Sequence, residues 1–247
     1  MGVQMSGSKC FAAFVACLTV SAALLVLLPT DVGAASWRAN VQVNEPSAAQ
    51  QKNPRIAVGP DGILHVAWVD YRSGVSNPDI YYSASGNNGT SFFYPNTEVS
   101  RDVMNNYTQA SPDIAVTGNG TAVVAWSEFQ GQDNNIRAAR KSPSADSFES
   151  LGIINNAVAG SQKNPSIAAY GTRIATAWLD EGSDNLVRIW NSTTGALVRE
   201  MAGHNGSVTS VDFSPDGAKL ASASEDGVVK VWNANTGALL KNLTGHA

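Results

Sequence analysis

The sequence is short of cysteine and of charge, and each shortage excludes a class of protein. Only Cys10 and Cys17 occur, both in an apolar run near the amino terminus, so no disulfide staples the fold beyond residue 17. Charged residues make up 15% of the 247, the formal net charge is -4, and no block of like charge follows the amino terminus. A basic surface for nucleic acid is thereby excluded, and no nucleic-acid partner is expected.

The amino terminus carries Lys9, an apolar run from Cys10 to Leu28, then Pro29 and the small-residue stretch Val32-Gly33-Ala34-Ala35-Ser36. This reads as a secretion signal cleaved after Ala34 or Ala35. The run is also just long enough to span a bilayer, so residues 1–35 are a signal peptide or an uncleaved membrane anchor. Either reading makes the remainder secreted or extracytoplasmic, with a membrane contact only if the segment is retained.

Internal repeats organise the rest. Asn53-Pro54-Arg55-Ile56-Ala57-Val58, Ser111-Pro112-Asp113-Ile114-Ala115-Val116 and Asn164-Pro165-Ser166-Ile167-Ala168-Ala169 align directly. Each is followed by a turn and a second apolar strand, carrying Trp68, Trp126 and Trp178 respectively. Spacing of about 50 residues with Gly, Asn, Asp and Ser turns leaves room for four strands per unit. A lone four-stranded sheet exposes two apolar faces, and radial stacking of such sheets buries both. The expectation is all-β: a β-propeller of about four four-stranded antiparallel blades.

In the first unit a third strand, Asp79-Ile80-Tyr81-Tyr82-Ser83, leads into Ser85-Gly86-Asn87-Asn88-Gly89-Thr90-Ser91-Phe92. This resembles the Asp-box turn of sialidase-like propellers, Ser-x-Asp-x-Gly-x-Thr-Trp, with Asn87 where Asp belongs and Phe92 for Trp. The second unit has only a shorter, glycine-free version at 142–148. In that family the box fixes a turn and marks fold, not chemistry.

After Asp184 the character changes. Leu186-Val187-Arg188-Ile189-Trp190-Asn191, Gly203-His204, Ser214-Pro215-Asp216-Gly217 and Leu220-Ala221-Ser222-Ala223-Ser224-Glu225-Asp226-Gly227 resemble WD repeats. Trp190 recurs as Trp232 and Gly203-His204 as Gly245-His246, a period of about 40 residues. Asn191 and Asn233 stand where that family has Asp. The resemblance implies a buried hydrogen-bond relay among His204, Ser222 or Ser224, Asp226 and Trp232, structural in purpose.

The chain therefore divides into 36–183, sialidase-like, and 184–247, WD-like, with blades expected over Pro54–Ser100, Pro112–Ala159, Pro165–Met201 and Ser207–Leu243. The third is a hybrid of the two repeat types. An extra strand over Trp37–Asn44 precedes them. Two arrangements remain open: a strained ring in which that strand pairs on the last blade's outer edge, or an open arc whose unpaired blade edges invite self-association.

Asp70, Glu128 and Asp180 recur two residues after each repeat tryptophan. Converging at one end of a channel, they would suit a hard cation such as calcium; the plainer reading is that they stabilise turns. No metal or other cofactor is assigned, and no catalytic residue. A sialidase-type glycosidase would need arginines such as Arg55, Arg72, Arg137 and Arg173 to converge on a substrate carboxylate. His65 reads as packing or exposed. The expectation is a non-enzymatic exported scaffold that binds a protein or glycan. The alternatives are a sialidase-like glycoside hydrolase, or a recombined or truncated propeller, natural or engineered, without evolved activity.

Overall fold

The computed structural model describes residues 41–100, 107–155, 160–181 and 185–245. The leader expected over 1–35, the change of repeat at Asp184 and the second histidine of the Gly-His pairs lie outside the described residues.

Apolar residues alternate with small and polar ones along every repeat, and the chain folds accordingly into strands. The first sheet runs β1 (Gln51–Val58), β2 (Leu64–Asp70), β3 (Asp79–Ser85) and β4 (Thr97–Glu98). The second holds β5 (Thr108–Val116), β6 (Ala122–Phe129), β7 (Asn134–Lys141) and β8 (Glu149–Ile153). The third holds β9 (Gln162–Tyr170), β10 (Arg173–Asp180), β11 (Val187–Asn191) and β12 (Leu197–Met201). The fourth holds β13 (Val208–Phe213), β14 (Lys219–Ser224), β15 (Val229–Asn233) and β16 (Leu239–Leu243). All four are antiparallel with neighbours in chain order, the blades of a four-bladed propeller.

In the third blade β10 and β11 form one ladder: Arg173 pairs with Asn191 and Thr176 with Arg188. Pairing in register keeps the apolar positions of β10 and β11 on the same face.

The inner strands of the first three blades begin earlier than the X-Pro landmark suggests. Asn53, Ser111 and Asn164 sit at φ 52, 50 and 50, directly before the proline, and the register shifts there. A bulge accommodates a residue that has no N–H to give the ladder. Asn tolerates the left-handed conformation better than most residues, which accounts for it at two of the three positions.

The core lies between blades. Ala67, Val69, Ile80 and Tyr82 of the first meet Ile114, Val124 and Trp126 of the second. Val123, Ala125 and Ile136 of the second meet Ile167, Ile174 and Trp178 of the third. Ala175, Ala177, Val187, Ile189 and Met201 of the third meet Val208, Val211, Leu220 and Trp232 of the fourth. Gly217, at φ 64, lies so close to Tyr170 that a Cβ there would fall 2.0 Å from the ring, so this blade junction requires glycine.

Among the described residues the fourth blade makes no comparable contact with the first. Residues 41–45 do not pair on the last blade's outer edge, and 41–44 form no strand. They bind the first blade instead. Glu45 N–H donates to Asn96 Oδ1 (2.7 Å), Asn96 N–H to Glu45 Oε1 (3.0 Å), and Val43 packs with Trp68, Tyr81 and Phe92.

Candidate functional site

In the fourth blade, cross-strand pairing sets Ser222 of β14 between Val211 and Lys230, two positions along the ladder from Trp232 and so on the same face. His204 lies in the connection preceding β13. Its Nε2 is 2.8 Å from Ser222 Oγ, which also accepts from Trp232 Nε1 at 2.8 Å, and its Nδ1 is 2.9 Å from Asp226 Oδ2. Asn205 N–H (2.9 Å) and Val228 N–H (2.9 Å) also donate to Asp226. Burial alone would raise the Asp226 carboxyl, but these donors and His204 outweigh it and hold the pKa down to about 2. Ser224 stays outside the relay: its hydroxyl donates to Gly206 O and accepts from Asp226 N–H. With both imidazole nitrogens engaged, His204 is spent on holding the blade together.

The turn after each WD-type tryptophan explains why Asn serves where Asp is usual. Asn191 Oδ1 accepts from the N–H groups of Thr193 and Thr194 at 2.9 and 3.0 Å, and Asn233 Oδ1 from those of Asn235 and Thr236 at 2.9 Å each. The turn needs only one acceptor oxygen, which either side chain supplies. The box-like turn of the first blade works similarly. Gly89 N–H donates to Ser85 Oγ, and Ser91 N–H to Asn87 Oδ1, both at 2.9 Å, while Phe92 is buried.

Asp70, Glu128 and Asp180 are all buried. Among the described residues, however, no group of three or more His, Cys, Asp or Glu side chains could hold a metal ion. Asp70 receives Arg72 at 2.7 Å and Trp68 Nε1 at 3.1 Å. Burial raises its pKa, and those bonds more than reverse the effect, leaving it below the usual carboxylate range. Glu128 is 2.6 Å from Arg137 and accepts from Gln130 at 2.7 Å, while Asp180 accepts from Gln162 at 3.4 Å. The three fail to make a cation site because each is held by donors of its own blade.

The four arginines likewise engage separate partners. Arg55 pairs with Asp113 at 3.6 Å, Arg72 with Asp70 and Glu45, and Arg137 with Glu128. Arg173 donates to Asn235 Oδ1 and Gly217 O across the junction of the third and fourth blades.

Two features are settled only by the structure. Of the two readings of His65, packing or exposed, packing holds: it is buried, its Nδ1 2.7 Å from Tyr82 Oη. Burial lowers its pKa to about 4, with Asp61 opposing the shift and Lys141 adding to it. The second feature is a cavity of about 330 Å³ between the outer parts of the second and third blades. Leu151, Ile154, Ile174 and Trp190 give it apolar walls, and Arg140 stands at its polar side. Arg140 bridges the blades, donating to Ser192 O (2.5 Å) and Thr193 O (2.6 Å) while pairing with Glu149 (2.9 Å). Neither feature has a local signal, since both depend on how one sheet meets the next.

Residues 195–233 match the WD domain, G-beta repeat family model. The match takes in the last strand of the third blade and the first three of the fourth, with His204, Ser222, Asp226 and Trp232 inside it. No curated protein matches the chain. The four-bladed fold and the repeat match together fit a WD-like propeller, an architecture suited to protein interaction.

Proposed function

We propose that the protein is a non-enzymatic, exported interaction scaffold whose ligand, a protein segment or a glycan, seats in the cavity between the second and third blades. The observation that supports this reading is the cavity itself. It joins an indole, a guanidinium and aliphatic walls, the mixture that binding sites use to take an apolar body and fix its orientation. The other ionisable groups singled out by the sequence are engaged by neighbours inside or between blades. We also read the chain as a recombination of sialidase-like blades with WD blades, spliced inside the third sheet. The Ser85–Asn87–Gly89 turn and the two Asn-headed turns support two repeat types with different turn chemistry.

The test is binding of the full chain to panels of glycans and extracellular proteins, beside Leu151→Trp, which fills the cavity. Saturable binding lost in that variant supports the reading. Hydrolysis of a sialoside, or binding indifferent to Leu151→Trp, overturns it.

A further inference from the structure

The face that the third blade turns toward the fourth is an interface already formed. Ala175, Ala177, Val187, Ile189 and Met201 make it, each exposed by 2% or less. The fourth blade repeats this face position by position. Ala221 pairs with Val231 as Ala175 does with Ile189, and Val229 pairs with Leu243 as Val187 does with Met201. Ala223, across from Val229, completes the set. On the fourth blade all five are only half-buried, because among the described residues no further sheet packs on them. A sheet face built for blade-on-blade packing is therefore left uncovered at one end of the stack.

The other end is different. The first blade's outward face, with Leu64, Val66 and Trp68 buried, is already covered by Val41 and Val43, tied down through Glu45 and Asn96. A second copy thus has no matching first-blade face to offer, but it does have an uncovered fourth-blade face. The charges favour that pairing. One cross-strand row of this face reads Asp212, Ala221, Val231, Lys241, an exposed acid at the inner edge and an exposed base at the outer edge. A two-fold axis running along the strands places β13 over β16 of the other copy, and hence each Asp212 over a Lys241.

We infer that the chain forms a symmetric dimer through the outward face of its fourth blade, sheet face to sheet face rather than strand edge to strand edge. This rests on the register of the blades and is independent of the ligand cavity. The test is sedimentation equilibrium of the full chain in non-denaturing detergent, at micromolar concentration. The expected result is twice the chain mass. Asp212→Lys or Lys241→Asp alone should weaken association by about tenfold or more, and the double exchange should restore it to within about threefold. Val231→Glu should abolish it, with Trp232 fluorescence unchanged as evidence that the blade remains folded. A monomeric wild type overturns the inference. So does association that survives Val231→Glu, or single charge reversals that the double exchange does not rescue.

Discussion

The third and fourth blades each carry a tryptophan on their third strand, Trp190 and Trp232, yet only one of the two indoles is sealed. In the fourth, Trp232 is 2% exposed, its indole N–H held by Ser222 and its ring met edge-on by His204 at 6.2 Å between centroids. In the third, Trp190 makes the equivalent bond to Thr176 Oγ1 at 2.9 Å but is only partly buried and lines the cavity. The connection that precedes β9, residues 154–161, contains no histidine to close over Trp190. The histidine corner that closes over Trp232 comes from the connection preceding β13.

Truncation tests the comparison most sharply. Trp232→Ala should cost about 3–5 kcal/mol, whereas Trp190→Ala, facing space that already exists, should cost about 1–2 kcal/mol. Urea denaturation of the two variants measures the gap, and equal costs would remove the distinction between sealed and open blades. Acid separates the junctions next. His65, at about 4 against 6.5 unfolded, binds its proton more readily in the unfolded chain. Stability is full above pH 6.5 and falls between there and about pH 4, by on the order of 3 kcal/mol. Asp226, held at about 2, contributes stability above its unfolded value near 4 and loses it as pH falls through about 2. Melting curves should therefore show two acid steps, the upper abolished by His65→Gln and the lower by Asp226→Asn.

Ser222→Ala strands both Trp232 Nε1 and His204 Nε2 and should cost about 1–3 kcal/mol, against about 1 kcal/mol or less for Thr176→Ala, which frees one N–H on the only partly buried Trp190. Thermal unfolding of the pair reads this difference. Smallest of all, Asn233→Asp should change stability by less than about 0.5 kcal/mol, because the turn needs only an acceptor oxygen. A larger loss in the same assay would mean the amide hydrogens matter.

Most of the fold was legible because its signals are local. Trp68, Trp126 and Trp178 each mark a second strand, and the 40-residue period from Trp190 to Trp232 marks the last blade. The relay was legible down to a choice between Ser222 and Ser224, which lie two apart on one strand face. Only the register against Trp232 decides between them. The pairing of Gln51 with Asp70 and Lys52 with Val69, on the far side of the proline, was hidden because a bulge breaks the pattern that periodicity reads. The fates of Asp70 and Glu128 were hidden for another reason. Arg72 follows Asp70 in the chain, but Arg137 reaches Glu128 from the next strand, and no spacing rule announces that pairing.

The register shift in every inner strand has a consequence for the life of the molecule outside a test tube. An innermost strand is an edge, and a straight edge is a template on which a foreign strand can lengthen the sheet without limit. Kinked near its start, and in three blades deprived of an N–H by proline at the kink, each edge presents a broken comb that no regular strand can mesh with. A protein assembled from repeated sheets carries many chances to seed a fibre, and here they are disarmed one residue at a time.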